Sequence, residues 1–311
     1  MKILIYVNSN QNFKKSNTLG GIEILNYNLY NYLKINYSTT LTNRLTAKIK
    51  DTKWDIVISS NDALIFNLLK AKKIVIWLHN LMQIEKAWRK KQIYPIILNK
   101  PIVVFVSKYL ESITSKLYPF KKRIVIENFL DKNFENIKSN FNRKKIFTWS
   151  VQRSKGLDEV LFLWKNTINK KFPEAKFYIF GIKKDKKWEK LKKFNIFFLG
   201  RVKKDLLIKY YKSSLGMICL GYDETFCLNA IESMACGQPV ISFGKTALKD
   251  LIIHNKNGYK VRNFTELTNK ILNILKSDKK KQTIIIKNCI LFSKKFNFNS
   301  VKNKWIYLLN N

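Results

Sequence analysis

Two carboxylates beside a helix start form the most informative stretch of the sequence. Glu224 and Glu232 stand eight positions apart in the segment Gly221-Tyr-Asp-Glu-Thr-Phe-Cys-Leu-Asn-Ala-Ile-Glu-Ser-Met-Ala-Cys-Gly-Gln-Pro-Val-Ile-Ser242. The segment reads as strand end, loop, helix, tight stop and strand. Thr225 suits an N-cap, and Gly237 and Pro239 are stop signals. Free amides at Phe226, Cys227 and Leu228 would then face a phosphate or a hydroxyl. Glu224 falls just before the helix and Glu232 along it, so both can accept hydrogen bonds from sugar hydroxyls. By themselves, two glutamates near a helix are most often solvated surface groups.

Cations stand at a second position of the same kind. Ser150-Val-Gln-Arg153-Ser-Lys155-Gly156-Leu157 follows one apolar run and precedes an amphipathic one. There Arg offers a planar fork and Lys a point charge to an anion. Gly20-Gly21 opens an earlier helix, where two glycines let backbone amides approach an anion closely. His79 ends the apolar run Ile74-Val-Ile-Trp-Leu. A lone Gly-Gly is usually a turn, and a lone His is usually structural.

The elements that must position these groups alternate along the chain. Candidate strands are Ile3–Val7, Trp54–Ser59, Ile74–Leu78, Ile102–Val106 and Arg123–Ile126, with helical patterns at Gly21–Ile35 and Ser107–Leu117 between them. Asp131–Arg143 is polar and reads as a linker. A second series follows, with strands Ile146–Ser150, Phe177–Phe180, Ile196–Leu199, Leu215–Leu220 and Pro239–Ser242. Its helices are Leu157–Asn169, Lys203–Ser213 and Phe226–Cys236. Such alternation predicts parallel sheets wrapped by helices, with ligands at the carboxyl ends of the strands. The fold class expected is α/β: two Rossmann-like domains facing across a cleft. The boundaries expected are 1–138, 144–292 and a brace helix within 293–311, where Val301, Trp305 and Leu308 recur at helical spacing.

Glu224, Glu232 and the small-residue helix exit Ser-Met-Ala-Cys-Gly-Gln-Pro-Val-Ile together resemble the signature of family-4 retaining glycosyltransferases of the GT-B class. The match is strong over about residues 146–262 and looser before them. The resemblance implies that Glu224 lies against the donor sugar and Glu232 holds the ribose of the nucleotide. Arg153 and Lys155 would grip the pyrophosphate. Leu199-Gly-Arg-Val202 resembles the stretch whose backbone meets the nucleobase, and Gly20-Gly21 the loop facing the donor phosphates. His79 would stand near the transferred sugar. Val106-Ser107-Lys108 and Ile126-Glu127-Asn128 resemble strand ends of the first domain, and His254–Tyr259 a late structural turn. The family usually has Gly where this chain has Cys227. The implied activity is transfer of a hexose from a UDP- or GDP-sugar to a glycan or lipid-linked acceptor.

Composition bounds the alternatives. The chain has 311 residues, 46% of them hydrophobic, and a net charge of +38. It can therefore bury two cores, and its surface attracts phosphate-bearing partners. The positive charge is spread over both halves, and no nucleic-acid module is visible, so no specific nucleic acid is expected as a partner. A sugar-nucleotide epimerase on the same scaffold is the rival within enzymes, and a basic nucleic-acid-binding protein is the rival outside them. With four scattered cysteines, free thiols and a cytoplasmic setting are expected. With two histidines and no Asp-x-Asp triplet, neither a metal nor a cofactor is expected beyond the nucleotide-sugar donor. No apolar run approaches a membrane span. The basic, aromatic segment Lys86–Tyr94 does suit an anionic membrane surface, and with it a peripheral location; a role in polysaccharide biosynthesis is what the family resemblance implies.

Overall fold

The computed structural model describes residues 1–11, 13 and 20–311. Two compact units result: Met1–Asp131 with Val301–Asn311, and Lys132–Ser300.

In the first unit, strands β1 (Lys2–Val7), β2 (Ser38–Thr42), β3 (Lys53–Ser60), β4 (Lys70–Leu78), β5 (Ile102–Phe105) and β6 (Lys122–Val125) form one sheet in the order β2-β1-β3-β4-β5-β6. Every pairing is parallel. Parallel strands covered on both faces need unbroken apolar runs. Ile3, Leu4 and Ile5 of β1 accordingly have no exposed surface, nor do Val75, Ile76 and Trp77 of β4. The closing helix, Phe298–Asn310, brings its last residues back to this unit. Val301, Trp305, Leu308 and Leu309 are buried, and Trp305 meets Trp77 edge to face at 4.9 Å. Lys73 Nζ donates to the carbonyls of Leu308 and Leu309 at 3.0 and 3.1 Å, satisfying orphan groups of the helix end.

The second unit contains β7 (Lys144–Trp149), β8 (Lys176–Phe180), β9 (Ile196–Gly200), β10 (Ser214–Ile218), β11 (Val240–Ser242) and β12 (Gly258–Lys260). Their order is β12-β11-β10-β7-β8-β9, again all parallel. In each sheet the strand order reverses once, beside β1 in the first and beside β7 in the second. The carboxyl ends at such a reversal diverge and leave a crevice for ligands.

The boundaries differ from the sequence expectation. Residues 132–143 belong to the second unit rather than to a linker. Lys132–Phe134 packs on the helix Lys204–Ser213. The Arg143 guanidinium donates to the carbonyls of Tyr211 and Cys236 at 2.7 and 2.8 Å. Residues 293–300 also stay with the second unit, where the Phe296 ring stands edge-on to Phe226 at 5.7 Å. Among the described residues, no helix is long and apolar enough to cross a membrane. All four cysteines are free and buried.

Candidate active site

The crevice beside β7 is built from two chain segments. One runs on from Trp149 at the end of β7, the other from Ile218 at the end of β10. They meet at Gly156, which has φ 95 and whose added Cβ would come within 2.5 Å of Leu220 Cδ1. Only a glycine allows that approach. Beside it, Lys155 Nζ donates to Glu224 Oε1 at 2.7 Å and to the Asp223 carbonyl at 3.4 Å. The two side chains are 17% and 11% exposed. Desolvation offsets most of what such a pair contributes to stability. Its place at the strand-order reversal is therefore more informative than its energy.

Glu232 lies on the helix Leu228–Ala235 and is buried. Burial, and then the charge of Glu232, push the Tyr211 hydroxyl well above its usual range. That hydroxyl donates to Ser150 Oγ at 2.7 Å, so Glu232, Tyr211 and the end of β7 are joined. Thr225, expected as N-cap, is not the cap. The helix starts at Leu228 with Cys227 as its N-cap, at φ 69 and with no side-chain capping bond. The Phe226 and Cys227 amides thus belong to the preceding loop, and the Leu228 amide alone of the three opens the helix. Cys227 Sγ lies 3.7 Å from Cys219 Sγ. That contact and burial hold the Cys227 thiol well above its usual pKa. Among the described residues, Cys219, Glu224 and Cys227 form one group whose potential ligand atoms lie within 4.8 Å of one another. One carboxylate oxygen of that group is already held by Lys155.

Arg153 is 47% exposed at its side chain. Its Nε donates to Asp158 Oδ1 at 3.0 Å, and the guanidinium sits 5.1 Å from the centre of the Trp188 ring. Trp188 stacks on Phe198 at 4.3 Å. Val202 is half-buried just past β9, where the Gly200 carbonyl accepts from the Gly181 amide at 2.9 Å.

Gly20, Gly21 and His79 lie in the first unit. The Gly20 amide donates to Gln11 Oε1 at 2.9 Å, and Gly21 begins the helix Gly21–Leu33. Glu23 in its first turn accepts from Ser9 Oγ at 2.8 Å. The amide of Gly20 is thus occupied, and a carboxylate stands beside the glycine pair. His79 is 4% exposed, and its ring lies 4.6 Å from that of Trp77. Burial lowers its pKa to about 3, so the imidazole is neutral. Asn61 Oδ1 fixes the chain there by accepting from the His79 and Asn80 amides at 2.7 and 3.2 Å. A cavity of about 360 Å³ opens at the carboxyl ends of β1, β3 and β4, with Asn8, Glu23, Asn61, Asp62 and Asn80 in its wall. Asn8 Nδ2 and Gln92 Nε2 each donate to the Asp62 carboxylate at 3.0 Å.

The family model of glycosyl transferases group 1 matches residues 131–290, which contain β7 to β12 and the Lys155–Glu224 pair. The chain belongs to that family. Solved structures place this group 1 family member in the GT-B fold. Sucrose-phosphate synthase from Thermosynechococcus elongatus has a TM-score of 0.74 at 15% identity, covering 100% of this chain and 98% of that one. Anabaena HepE in complex with UDP and glucose has a TM-score of 0.70 at 15% identity, covering 100% and 99%. S. aureus TarM in complex with UDP and alpha-GlcNAc-glycerol has a TM-score of 0.67 at 22% identity. That match covers 82% of this chain, which spans only 55% of the TarM chain. No curated protein matches the sequence.

Within this group 1 family member, the second unit brings Lys155 and Glu224 together at the strand-order reversal, whereas the Arg153 side chain is held by Asp158 and Trp188 and Glu232 lies toward Tyr211. Motif reading missed Asp62, Asn8 and Asn61, which only the order of β1 and β3 brings together. It also missed Trp188, which no motif marks. The one available signal was position, since Asn8 and Asn61 directly follow a strand and Asp62 comes one residue later.

Proposed function

We propose that this group 1 family member is a retaining hexosyltransferase using a UDP- or GDP-sugar, with a glycan or lipid-linked acceptor. The observation that carries the reading is the Lys155–Glu224 pair at the second sheet's strand-order reversal. An arriving diphosphate would replace Glu224 as the acceptor for the Lys155 ammonium. The freed carboxylate would then accept from the sugar hydroxyls. Lys155, Arg153 and the amides of the 226–228 loop would stabilise the departing diphosphate. Glu232 would accept from the ribose, and the nucleobase would lie against the backbone near Val202. The acceptor would enter the polar cavity around Asp62. Retention is read as internal return, the leaving phosphate helping to deprotonate the acceptor hydroxyl. No metal ion takes part in this scheme, so turnover should survive EDTA. The complexes of HepE and TarM with UDP support a uridine nucleotide first.

A thermal-shift screen against UDP, GDP, ADP and their sugars tests the reading. A nucleotide at about 100 times its Kd should add roughly 2.7 kcal/mol of apparent stability. Lys155→Ala should abolish the shift. Glu224→Gln should keep the shift and lower turnover by about 10²–10³. If no nucleotide diphosphate shifts the folded wild-type protein, the donor assignment is wrong.

A further inference from the structure

The first unit carries an apolar surface that its own fold leaves uncovered. Eight of the nineteen large apolar residues exposed in the described chain fall between Leu64 and Leu98, and Leu64, Trp88 and Tyr94 among them line one groove. The helix Ile93–Asn99 shows the cause. Pro95 and Ile96 face inward, while Tyr94, Ile97 and Leu98, spaced i, i+3 and i+4, are 66%, 52% and 61% exposed. A helix that is apolar all round belongs in an interior or against an apolar partner. Beside it, Asn67 of the turn Leu64–Leu68 accepts at Oδ1 from Asn99 Nδ2 at 2.8 Å. A groove of about 730 Å³ lies between Leu64, Trp88 and Tyr94, with Arg89 and Lys91 also in its wall. Trp88 is 72% exposed.

Charge identifies the partner. Arg89 and Lys91 line this groove, Lys86 and Lys90 line the neighbouring polar cavity, and these and Lys100 are all exposed. Glu85 is the one acid between residues 64 and 100, and it pairs with Arg89 at 3.3 Å. A second copy of the chain would bring like charges together in a two-fold interface, which opposes self-association. We propose that this face docks on an anionic lipid bilayer. Trp88 and Tyr94 sit at the headgroup level, as amphipathic rings do. Ile97 and Leu98 enter the acyl boundary, and the cations lie on lipid phosphates, each raising affinity about fivefold. Helix Ile84–Arg89 borders both this groove and the polar cavity, since Lys86 lines the cavity and Trp88 the groove. A lipid-borne hydroxyl would thus be delivered beside the Asp62 cavity. That last step rests on the proposed transferase reading; the docking itself does not.

Co-sedimentation of the full chain with vesicles of phosphatidylcholine alone, or mixed with phosphatidylglycerol, tests the docking. Binding is expected to the mixed vesicles only, and salt should weaken it. Trp88→Ser, Ile97→Ser and Leu98→Ser combined should cut binding at least tenfold without lowering the melting temperature. Arg89→Gln, Lys90→Gln and Lys91→Gln combined should do likewise. Lys183→Gln, Lys186→Gln and Lys190→Gln, exposed cations of the second unit, should change it less than threefold. Equal losses from the two charge triples, or an apolar triple that binds normally, would reduce the effect to bulk charge and overturn the assignment. So would a dimer in vesicle-free solution that the apolar triple dissolves. Nucleotide binding by the same variants is read separately. Failed docking with a normal UDP shift would strike this inference alone, and normal docking with no nucleotide shift would strike the transferase reading alone.

Discussion

Cys227 holds its backbone at φ 69, where a Cβ crowds the following carbonyl at a cost of roughly 1–2 kcal/mol. The backbone there asks for the glycine usual in the family, and this chain places a buried thiol against Cys219 instead. Cys227→Gly should therefore stay within about 1 kcal/mol of wild type. Cys227→Val should lose about 2 kcal/mol or more, because β-branching is poorly tolerated in this region. Denaturant melts give the order of the two variants, and the reverse order would show that thiol packing governs. His79 offers a second residue-level test. Its pKa is about 3 in the native protein and near 6.5 when unfolded. The unfolded chain thus takes up a proton that the native one refuses. The contribution to stability is complete above pH 6.5 and declines toward pH 3, by up to about 1.4 kcal/mol per unit. His79→Gln should flatten the fall in stability between pH 6.5 and pH 5. An unchanged slope would assign the acid sensitivity to other groups.

Arg143 shows what a single side chain does for whole elements. The helix Lys204–Ser213 and the helix Leu228–Ala235 both end beside it, where the Tyr211 carbonyl takes the Ser214 amide as well and helix carbonyls run short of donors. One guanidinium serves both, donating to Tyr211 and Cys236, and a cation also suits the negative helix ends. Burial lowers its pKa to about 10, which still leaves it charged at neutral pH. Packing is tight, since a Cβ on Gly237 would come within 2.6 Å of Arg143 Nη2. Arg143→Lys cannot reach both carbonyls in one plane and should cost about 2–3 kcal/mol in a denaturant melt. A loss below 0.5 kcal/mol would mean the fork is dispensable. Sequence reading placed Arg143 in a linker because its neighbours are Asn and Lys and no local pattern records its distant partners. Strands β2 (Ser-Thr-Thr-Leu-Thr) and β12 (Gly-Tyr-Lys) escaped for a related reason. Each has one neighbour at a sheet edge and needs no apolar run. The inner strands β1, β3, β4, β7 and β10 were legible because burial on both faces demands one. Glu224 and Lys155 were legible because glycine, a helix exit and a charge coincide within a few residues. The Asp62 cavity was not, because its wall comes from residues spread over the ends of three strands and the helices beside them.

At the scale of the whole molecule, the surplus of positive charge is the dominant unpaired quantity. The chain carries 59 basic and 21 acidic residues, leaving a net charge of +38. The acids present are mostly spent locally. Lys72–Asp55, Lys145–Glu174 and Arg262–Glu266 are ion pairs on the surface, worth little each and unable to neutralise their surroundings. The remaining ammonium groups repel one another in the folded state, and unfolding relaxes that repulsion by spreading the chain. Salt screens such repulsion over a Debye length of about 10 Å at 0.1 M and about 3 Å at 1 M. It also weakens the few surface pairs, but those are outnumbered. The melting temperature should therefore rise with sodium chloride from 0.02 to 0.5 M, and rise further with sulfate at equal ionic strength, because sulfate also strengthens burial. Replacing Lys183, Lys186 and Lys190 by Glu should reduce the slope by lowering the charge to be screened, with no change in the site around Lys155. A melting temperature that falls with salt would mean that the surface pairs, and not the repulsion, set the electrostatic stability of this protein.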